Sequence, residues 1–246
     1  MRNWLIGAAF LAVVACKQEK KEDPVKEAVE EVSQEVAVPN WEVLFDGSSF
    51  DEWHYYNGGA VTEPWKIEDG AMVFYPPKER NGESYNLVTN KAYTNFVLQL
   101  EWKVVKGANS GIFYGVEEAD KFGQPYATGP EIQVLDDENH PDAKNGTTHQ
   151  AGALYDMVAP SEKTVKPIGE WNSVEIMVNH QENQGYVIQN GTKIVEFPVN
   201  GEAWARMVEN SKFKGWEGFG EYQTGKIGLQ DHGDQVAFRN IRIKEL

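Results

Sequence analysis

From Trp41 onward the chain is cut into short runs of alternating apolar and polar residues, separated by turn dipeptides. Phe96 to Val105 shows the pattern best, with Phe96, Leu98, Leu100, Trp102 and Val104 alternating with Gln99, Glu101 and Lys103. A period of two places the first set on one face of a strand and the second on the other, whereas a helical face needs a period near 3.6. Asp69-Gly70 lies between Trp65–Glu68 and Met72–Tyr75, and Asn190-Gly191 lies between Gly185–Gln189 and Lys193–Phe197. Such dipeptides supply the positive φ angles that tight hairpins need. Gly111–Val116, Trp171–Asn179, Lys226–Gln230 and Gln235–Ile243 read as further strands, and Glu202–Asn210 as one short helical excursion. The pattern predicts an all-β chain with two antiparallel sheets packed as a sandwich, a jelly roll being the preferred form.

Residues 41–246 carry every tryptophan except Trp4 and nearly all the tyrosine and phenylalanine. That stretch is large enough to bury one two-sheet core. Residues 16–40 have no glycine or aromatic residue, are rich in Lys, Glu, Gln and Val, and end at Pro39-Asn40. Their apolar stripe is thin, so a solvated tether is expected. Residues 1–15 hold one charge, Arg2, and then an apolar run from Trp4 to Ala15 that is short for a bilayer span. The end, Val13-Val14-Ala15-Cys16, resembles a bacterial lipoprotein signal. That resemblance implies cleavage before Cys16, lipid on its sulfur, and a membrane association through that lipid only. Lys17, not Asp, follows Cys16, so an outer-membrane lipoprotein facing the periplasm or the cell surface is expected. Cys16 is the only cysteine, so no internal disulfide can form.

The formal charge is −15, from 23 Lys and Arg against 38 Asp and Glu. Nucleic acid and anionic membrane surfaces need clustered cations and are poor partners. Neutral molecules such as sugars remain compatible. Walker loops, dinucleotide fingerprints, HExxH zinc motifs and serine nucleophile elbows are absent from the sequence. Nothing in it sets an oligomeric state.

Glu131 and Gln133 are the leading site candidates. In Gly129-Pro130-Glu131-Ile132-Gln133-Val134-Leu135-Asp136 the alternation points both one way and Ile132 and Val134 the other, toward a core. A carboxylate beside an amide in mid-strand suits a polar cleft on a sheet, though a solvated face has the same pattern. Asp136 to Ala151 is a long polar loop with Asp136, Asp137, Glu138, His140, Asp142 and His149. Loops of that length are usually functional or mobile. A divalent metal near Asp136–His149 is one option there, but the spacing is not that of a defined metal motif and no cofactor is required. Gln230-Asp231-His232-Gly233-Asp234 joins the last two strands, and Gln230 and His232 share a face if the strand continues. His149 and His232 are the histidines best placed for proton transfer.

Several segments recur together and in order. They are Leu44-Phe45-Asp46-Gly47 with Trp53, Asn109-Ser110-Gly111-Ile112-Phe113, Gly129 to Asp136, and Gly152-Ala153-Leu154-Tyr155-Asp156. Gly169-Glu170-Trp171-Asn172, Ser211-Lys212-Phe213, Gly228-Leu229-Gln230-Asp231-His232-Gly233 and Phe238 to Ile243 complete the set. The ordered set resembles the DUF1080 family, the 3-keto-disaccharide hydrolases, 3-keto-glucoside 1,2-lyases and 3-keto-2-hydroxy-glucal hydratases. The resemblance spans residues 41–246 and implies a concanavalin-like jelly roll acting on a small sugar substrate.

It also implies a reaction. A ketone at C3 acidifies the C2 proton; its loss and expulsion of the C1 aglycone give a 2-hydroxy-3-keto-glucal, to which water can add. Glu131 or His232 could be the base. His149, Gln133, Lys212 or Tyr155 could hydrogen-bond the enolate oxygen. Gln230 and Asp231 would bind substrate, and Trp102 and Trp171 could stack on a sugar face or belong to the core. Two rivals remain: a hydrolase of unmodified glycans and a non-catalytic carbohydrate-binding lipoprotein. For the first, Glu131, Gln133 and Asp136 superficially resemble a glucanase carboxylate strand, but Gln133 interrupts the pair that a retaining glycosidase needs.

Overall fold

Asp69 and Gly70 take φ angles of 50° and 72°, and Asn190 and Gly191 take 51° and 86°. Two consecutive positive φ values define the hairpin turn whose twist matches paired strands. In the computed structural model, described over residues 40–246, these turns close β3 (Trp65–Glu68) on β4 (Ala71–Phe74) and β10 (Gln184–Gln189) on β11 (Thr192–Phe197). The other strands are β1 (Glu42–Phe45), β2 (Trp53–Tyr55), β5 (Leu87–Thr89), β6 (Phe96–Val104), β7 (Asn109–Val116) and β8 (Glu131–Leu135). β9 (Asn172–Asn179), β12 (Lys226–Leu229) and β13 (Val236–Glu245) complete the set, with one helix, α1 (Gly201–Glu209).

One sheet has the order β11-β10-β9-β6-β13-β4-β3, with β1 also pairing β13; the other has the order β2-β5-β12-β7-β8. The strand pairings are antiparallel throughout. The fold is therefore the predicted two-sheet sandwich. β1, β2 and β5 escaped prediction because three or four residues show no period.

Leu98, Leu100 and Trp102 from the first sheet meet Ile112, Ile132, Val134, Ile227 and Leu229 from the second in the main core. Burial of those apolar faces is the dominant favourable term of folding. Trp102 is 1% exposed. It lies inside the sandwich and cannot stack on a sugar; its removal would open a cavity costing about 3–5 kcal/mol. Trp171 lies far from the second sheet's outer face. It packs on Ala71, Val73 and Ala237 of the first sheet and is capped by Lys103 and Arg239, 4.6 and 4.1 Å from its ring. Of the two options the sequence left open, packing and not stacking in the cleft is the one both tryptophans occupy.

The signal segment, Cys16 and the tether up to residue 39 lie outside the described residues. Among the described residues no helix is long and apolar enough to cross a membrane.

Candidate active site

Cross-strand register fixes how the site is laid out. On the outer face of the second sheet, Gly111 on β7 stands opposite Gln133 on β8, and Phe113 stands opposite Glu131. Gln230 continues β12 by one residue, its N–H donating to Gly111 O at 2.9 Å. Gln230, Gly111 and Gln133 thus form one row across three strands, with Glu131 one pleat further along. Ile132 and Val134 point into the core, as the alternation predicts.

These residues floor a cleft of about 310 Å³ that Asn109, Lys212 and His232 also line. That is the small end of the range for ligand pockets. A larger groove, about 660 Å³, lies on the other sheet around Gln99, Glu101 and Glu175. There the polar groups satisfy one another: Gln99 donates to Glu175, Arg242 to Gln99, and Arg239 to Glu101. It offers no free acid–base pair, so the smaller cleft is the better site.

Glu131 is buried, and burial pushes its carboxyl up to about 8; Lys212 pulls it down and Asp142 pushes it further up. The carboxyl is therefore mostly protonated at neutral pH. His232 stands at the cleft rim with solvent access, yet the protein packed around its ring lowers its pKa from the usual imidazole value. Asp234 opposes that shift and His140 adds to it. The two groups thus move in opposite directions, a protonated acid and a neutral imidazole in one cleft.

Two amide oxygens, Asn109 Oδ1 and Gln230 Oε1, are buried without a hydrogen-bond partner. Asn109 Nδ2 lies 3.4 Å from His232 Nε2. Buried amide oxygens without partners cost about 1–3 kcal/mol each. A ligand that presents O–H or N–H donors would satisfy them.

His149 does not face the substrate space. Its Nδ1 lies 3.1 Å from Asp142 and its Nε2 lies 3.0 Å from Asp156, so both ring nitrogens are engaged. The sequence suggested it as a catalytic histidine, but it is not among the residues that line the cleft. Tyr155 lines the cleft with its ring, while its hydroxyl donates to Asp142 at 2.9 Å. Burial raises the Tyr155 pKa and Asp142 raises it further, so the hydroxyl is not a free donor either. Burial would raise Asp142 as well, but hydrogen bonds from Asn145 and Tyr155 and the nearby His149 hold it below the usual value. Lys212 is placed by its own N–H, which donates to Asp156 at 2.6 Å, and its ammonium lies 4.0 Å from the Tyr155 ring centre.

Asp231 points away from the cleft. It is 3% exposed, pairs with Arg80 at 2.7 Å, and accepts the Tyr85 N–H. β12 ends at Leu229, and the turn that holds His232 at φ 21° sends the Asp231 and His232 side chains apart. It clamps the loop and is not among the residues that line the cleft, where the sequence had suggested a substrate-binding residue.

In the Asp136–His149 loop Asp136, Asp142 and His149 are hydrogen-bonded within the protein. Asp136 accepts from the Gly107, Glu138 and Asn139 N–H groups, and His149 is engaged as above. His140, His232 and Asp234 do bring donor atoms within 4.8 Å of one another. His140 Nδ1 accepts the Asp142 N–H at 3.1 Å, so that nitrogen is already engaged. Asp234 accepts the Asn109 N–H at 3.1 Å. His140 and Asp234 are each engaged with a backbone N–H, and among the described residues neither hydrogen-bonds the His232 ring.

Sequence reasoning missed Asn109, Tyr126, Phe213 and Trp216 as cleft residues. Asn109 and Phe213 sit in recurring segments but carry no chemistry that marks them. Trp216 had one usable signal: a tryptophan set between Gly215 and Gly218 is in a turn, where a core ring is rare.

Comparison with known proteins gives a consistent picture. The 3-keto-alpha-glucoside-1,2-lyase-like domain matches residues 40–244. A Bacteroides thetaiotaomicron 3-keto-disaccharide hydrolase is 40% identical over 228 residues, covering 82% of this chain and 77% of that protein. A crystal structure of a provisionally assigned glycosyl hydrolase from Parabacteroides distasonis superposes with TM-score 0.75 at 36% identity, covering 84% of this chain and 94% of that one. A galectin-like protein from Bacillus subtilis, TM-score 0.53 at 10% identity and covering 84% and 94% of the two chains, shares the sandwich alone.

Proposed function

The chain belongs to the 3-keto-alpha-glucoside-1,2-lyase-like family of carbohydrate-processing enzymes, and we propose that it cleaves 3-keto-glycosides by elimination. Neutral His232 removes the proton at C2, and the electron pair passes into the C3 ketone as an enolate. The enolate then returns its electrons to form the C1–C2 double bond while the C1–O bond breaks. Protonated Glu131 gives its proton to the departing oxygen. Lys212 and the Gln133 amide face the developing enolate charge. Addition of water across the double bond, a proton to C2 and hydroxyl to C1, would complete a net hydrolysis.

The observation that carries this reading is the opposed pair, Glu131 raised to about 8 and His232 lowered, in a single cleft. A retaining glycosidase would instead need two carboxylates about 5 Å apart, and Gln133 occupies the neighbouring outward position. The sequence of residues 1–16 further supports delivery as an outer-membrane lipoprotein, and the mechanism uses no cofactor.

The test is incubation with 3-keto glycosides and their unoxidised parents, followed by mass spectrometry. Only the keto forms should be consumed, and deuterium from solvent should enter C2 of recovered substrate. Equal turnover of the parents would defeat the elimination, and sugar binding without any turnover would make the chain a binding module.

A further inference from the structure

Tyr126 and Trp216 are 40% and 39% exposed, and among the described residues no other Phe, Tyr or Trp is as open. The other large apolar side chains with comparable exposure are aliphatic, at Val43, Val105, Ile168 and Leu246. Both open rings line the Glu131 cleft, with centroids 6.3 Å apart and planes at 51°. Isolated exposed rings need no explanation, but a pair converging on one cleft does.

Trp216 is also held in place. Its ring meets Phe213 edge-on at 5.2 Å and 90°, and Phe219 at 6.4 Å and 85°. Phe213 and Phe219, both 3% exposed, stack at 3.8 Å. The segments that carry the two rings are tied by the Gly220 N–H, which donates to Thr128 O at 2.7 Å. A side chain at Gly220 would run into the Trp204 ring, its β-carbon 2.3 Å from Cζ2. The ring therefore loses little freedom on binding a flat partner, which is what a stacking platform needs.

The chain places this platform at the acid's end of the cleft. Tyr126 precedes Glu131 by a short turn on the way into β8, whereas Asn109 and His232 lie toward the opposite end of the β7–β8 pair. In the elimination, the group beside the acid is the one that departs.

We propose that Tyr126 and Trp216 form the leaving-group subsite, which selects 3-keto glycosides whose aglycone presents a flat apolar face, a second pyranose ring above all, over those with a small alkyl aglycone. The assignment of the leaving-group side rests on Glu131 acting as the acid. Pyranose rings offer axial C–H faces to tryptophan and gain from the contact because both surfaces leave water.

The experiment compares kcat/KM for the 3-keto derivatives of cellobiose and maltose with that for methyl 3-keto-α- and β-glucosides. In the wild type the disaccharides should be preferred. Trp216→Ala should lower the disaccharide-to-methyl ratio tenfold or more, Tyr126→Ala should lower it severalfold, and Trp216→Tyr should restore most of it. A ratio unchanged in both alanine variants would overturn the subsite, whether or not absolute rates fall. If no keto substrate turns over at all, the reaction itself is misread. Calorimetric titration with cellobiose and maltose then decides the platform separately: binding that weakens tenfold in Trp216→Ala supports it, and unchanged or absent binding rejects it.

Discussion

The Glu131 carboxyl lies over Gly111 on the neighbouring strand, in the space a side chain there would fill. A β-carbon on Gly111 would stand 2.0 Å from Glu131 Oε1 and 2.6 Å from its carboxyl carbon. The backbone of Gly111 does not need positive φ, so the glycine is there for space and not for conformation. Gly111 also receives the Gln230 N–H, so the carboxyl leans toward the middle of the Gln230–Gly111–Gln133 row.

Gly111→Ala should therefore push Glu131 out of position without breaking the strand. Turnover should fall about a hundredfold, the usual size of a lost general acid. Glu131→Gln should fall as far, and the double variant no further, because both act on one group. Multiplying losses in the double variant would show that Gly111 matters for some other reason.

The pH profile follows from the two opposed shifts. In the proposed elimination the active form has Glu131 protonated and His232 neutral. Rate should fall as pH rises through about 8, where Glu131 ionises, and fall again in acid below the ordinary histidine pKa, where His232 becomes charged. Glu131→Gln should lose the alkaline limb. Stability has a matching sign. Unfolded Glu131 ionises near 4.5 and folded Glu131 near 8, so wild-type stability declines relative to Glu131→Gln across that interval and the gap is constant above it. Melting temperatures should show the variant's advantage larger at pH 8 than at pH 4.5. A constant difference would mean that the carboxyl is not buried.

The strand carrying Glu131 was legible because alternation and β-branching are local. The sandwich was legible for the same reason, since two Asn-Gly and Asp-Gly turns fixed their own hairpins. What the sequence could not supply was which side chains share a volume. Trp102 and Trp171 share residue type with Trp216, yet burial under the first sheet and cation caps separate them from it. Asp231 and His232 are adjacent, and only the turn of the chain between them decides that one clamps Arg80 and the other faces the cleft. His149 carried the right chemistry, but its two carboxylate neighbours are brought in by a folded loop.

Anchoring is testable apart from catalysis. If Cys16 carries the lipid and that lipid is the anchor, Cys16→Ser should leave the domain folded and release it from membranes; among the described residues no helix is long and apolar enough to cross one. Fractionation of expressed protein, with circular dichroism of the soluble form, reads both halves of that statement. A Cys16→Ser chain that still sediments with membranes would require a different anchor.

His149 gives the last test, between a base and a support. It joins Asp142, which holds the Tyr155 hydroxyl, to Asp156, which holds the Lys212 N–H. Removing the ring leaves two carboxylates facing each other without a proton donor between them, and like charges at that range repel. His149→Ala should therefore disturb Lys212 and Tyr155, and lower kcat/KM about tenfold to a hundredfold. If His232 takes the C2 proton as proposed, the acid limb of the pH profile should stay where it is, and solvent deuterium should still enter C2. His232→Ala should abolish both. If His149→Ala instead removes the acid limb and the exchange while His232→Ala keeps them, the base is His149, and the loop must open before the chemistry begins.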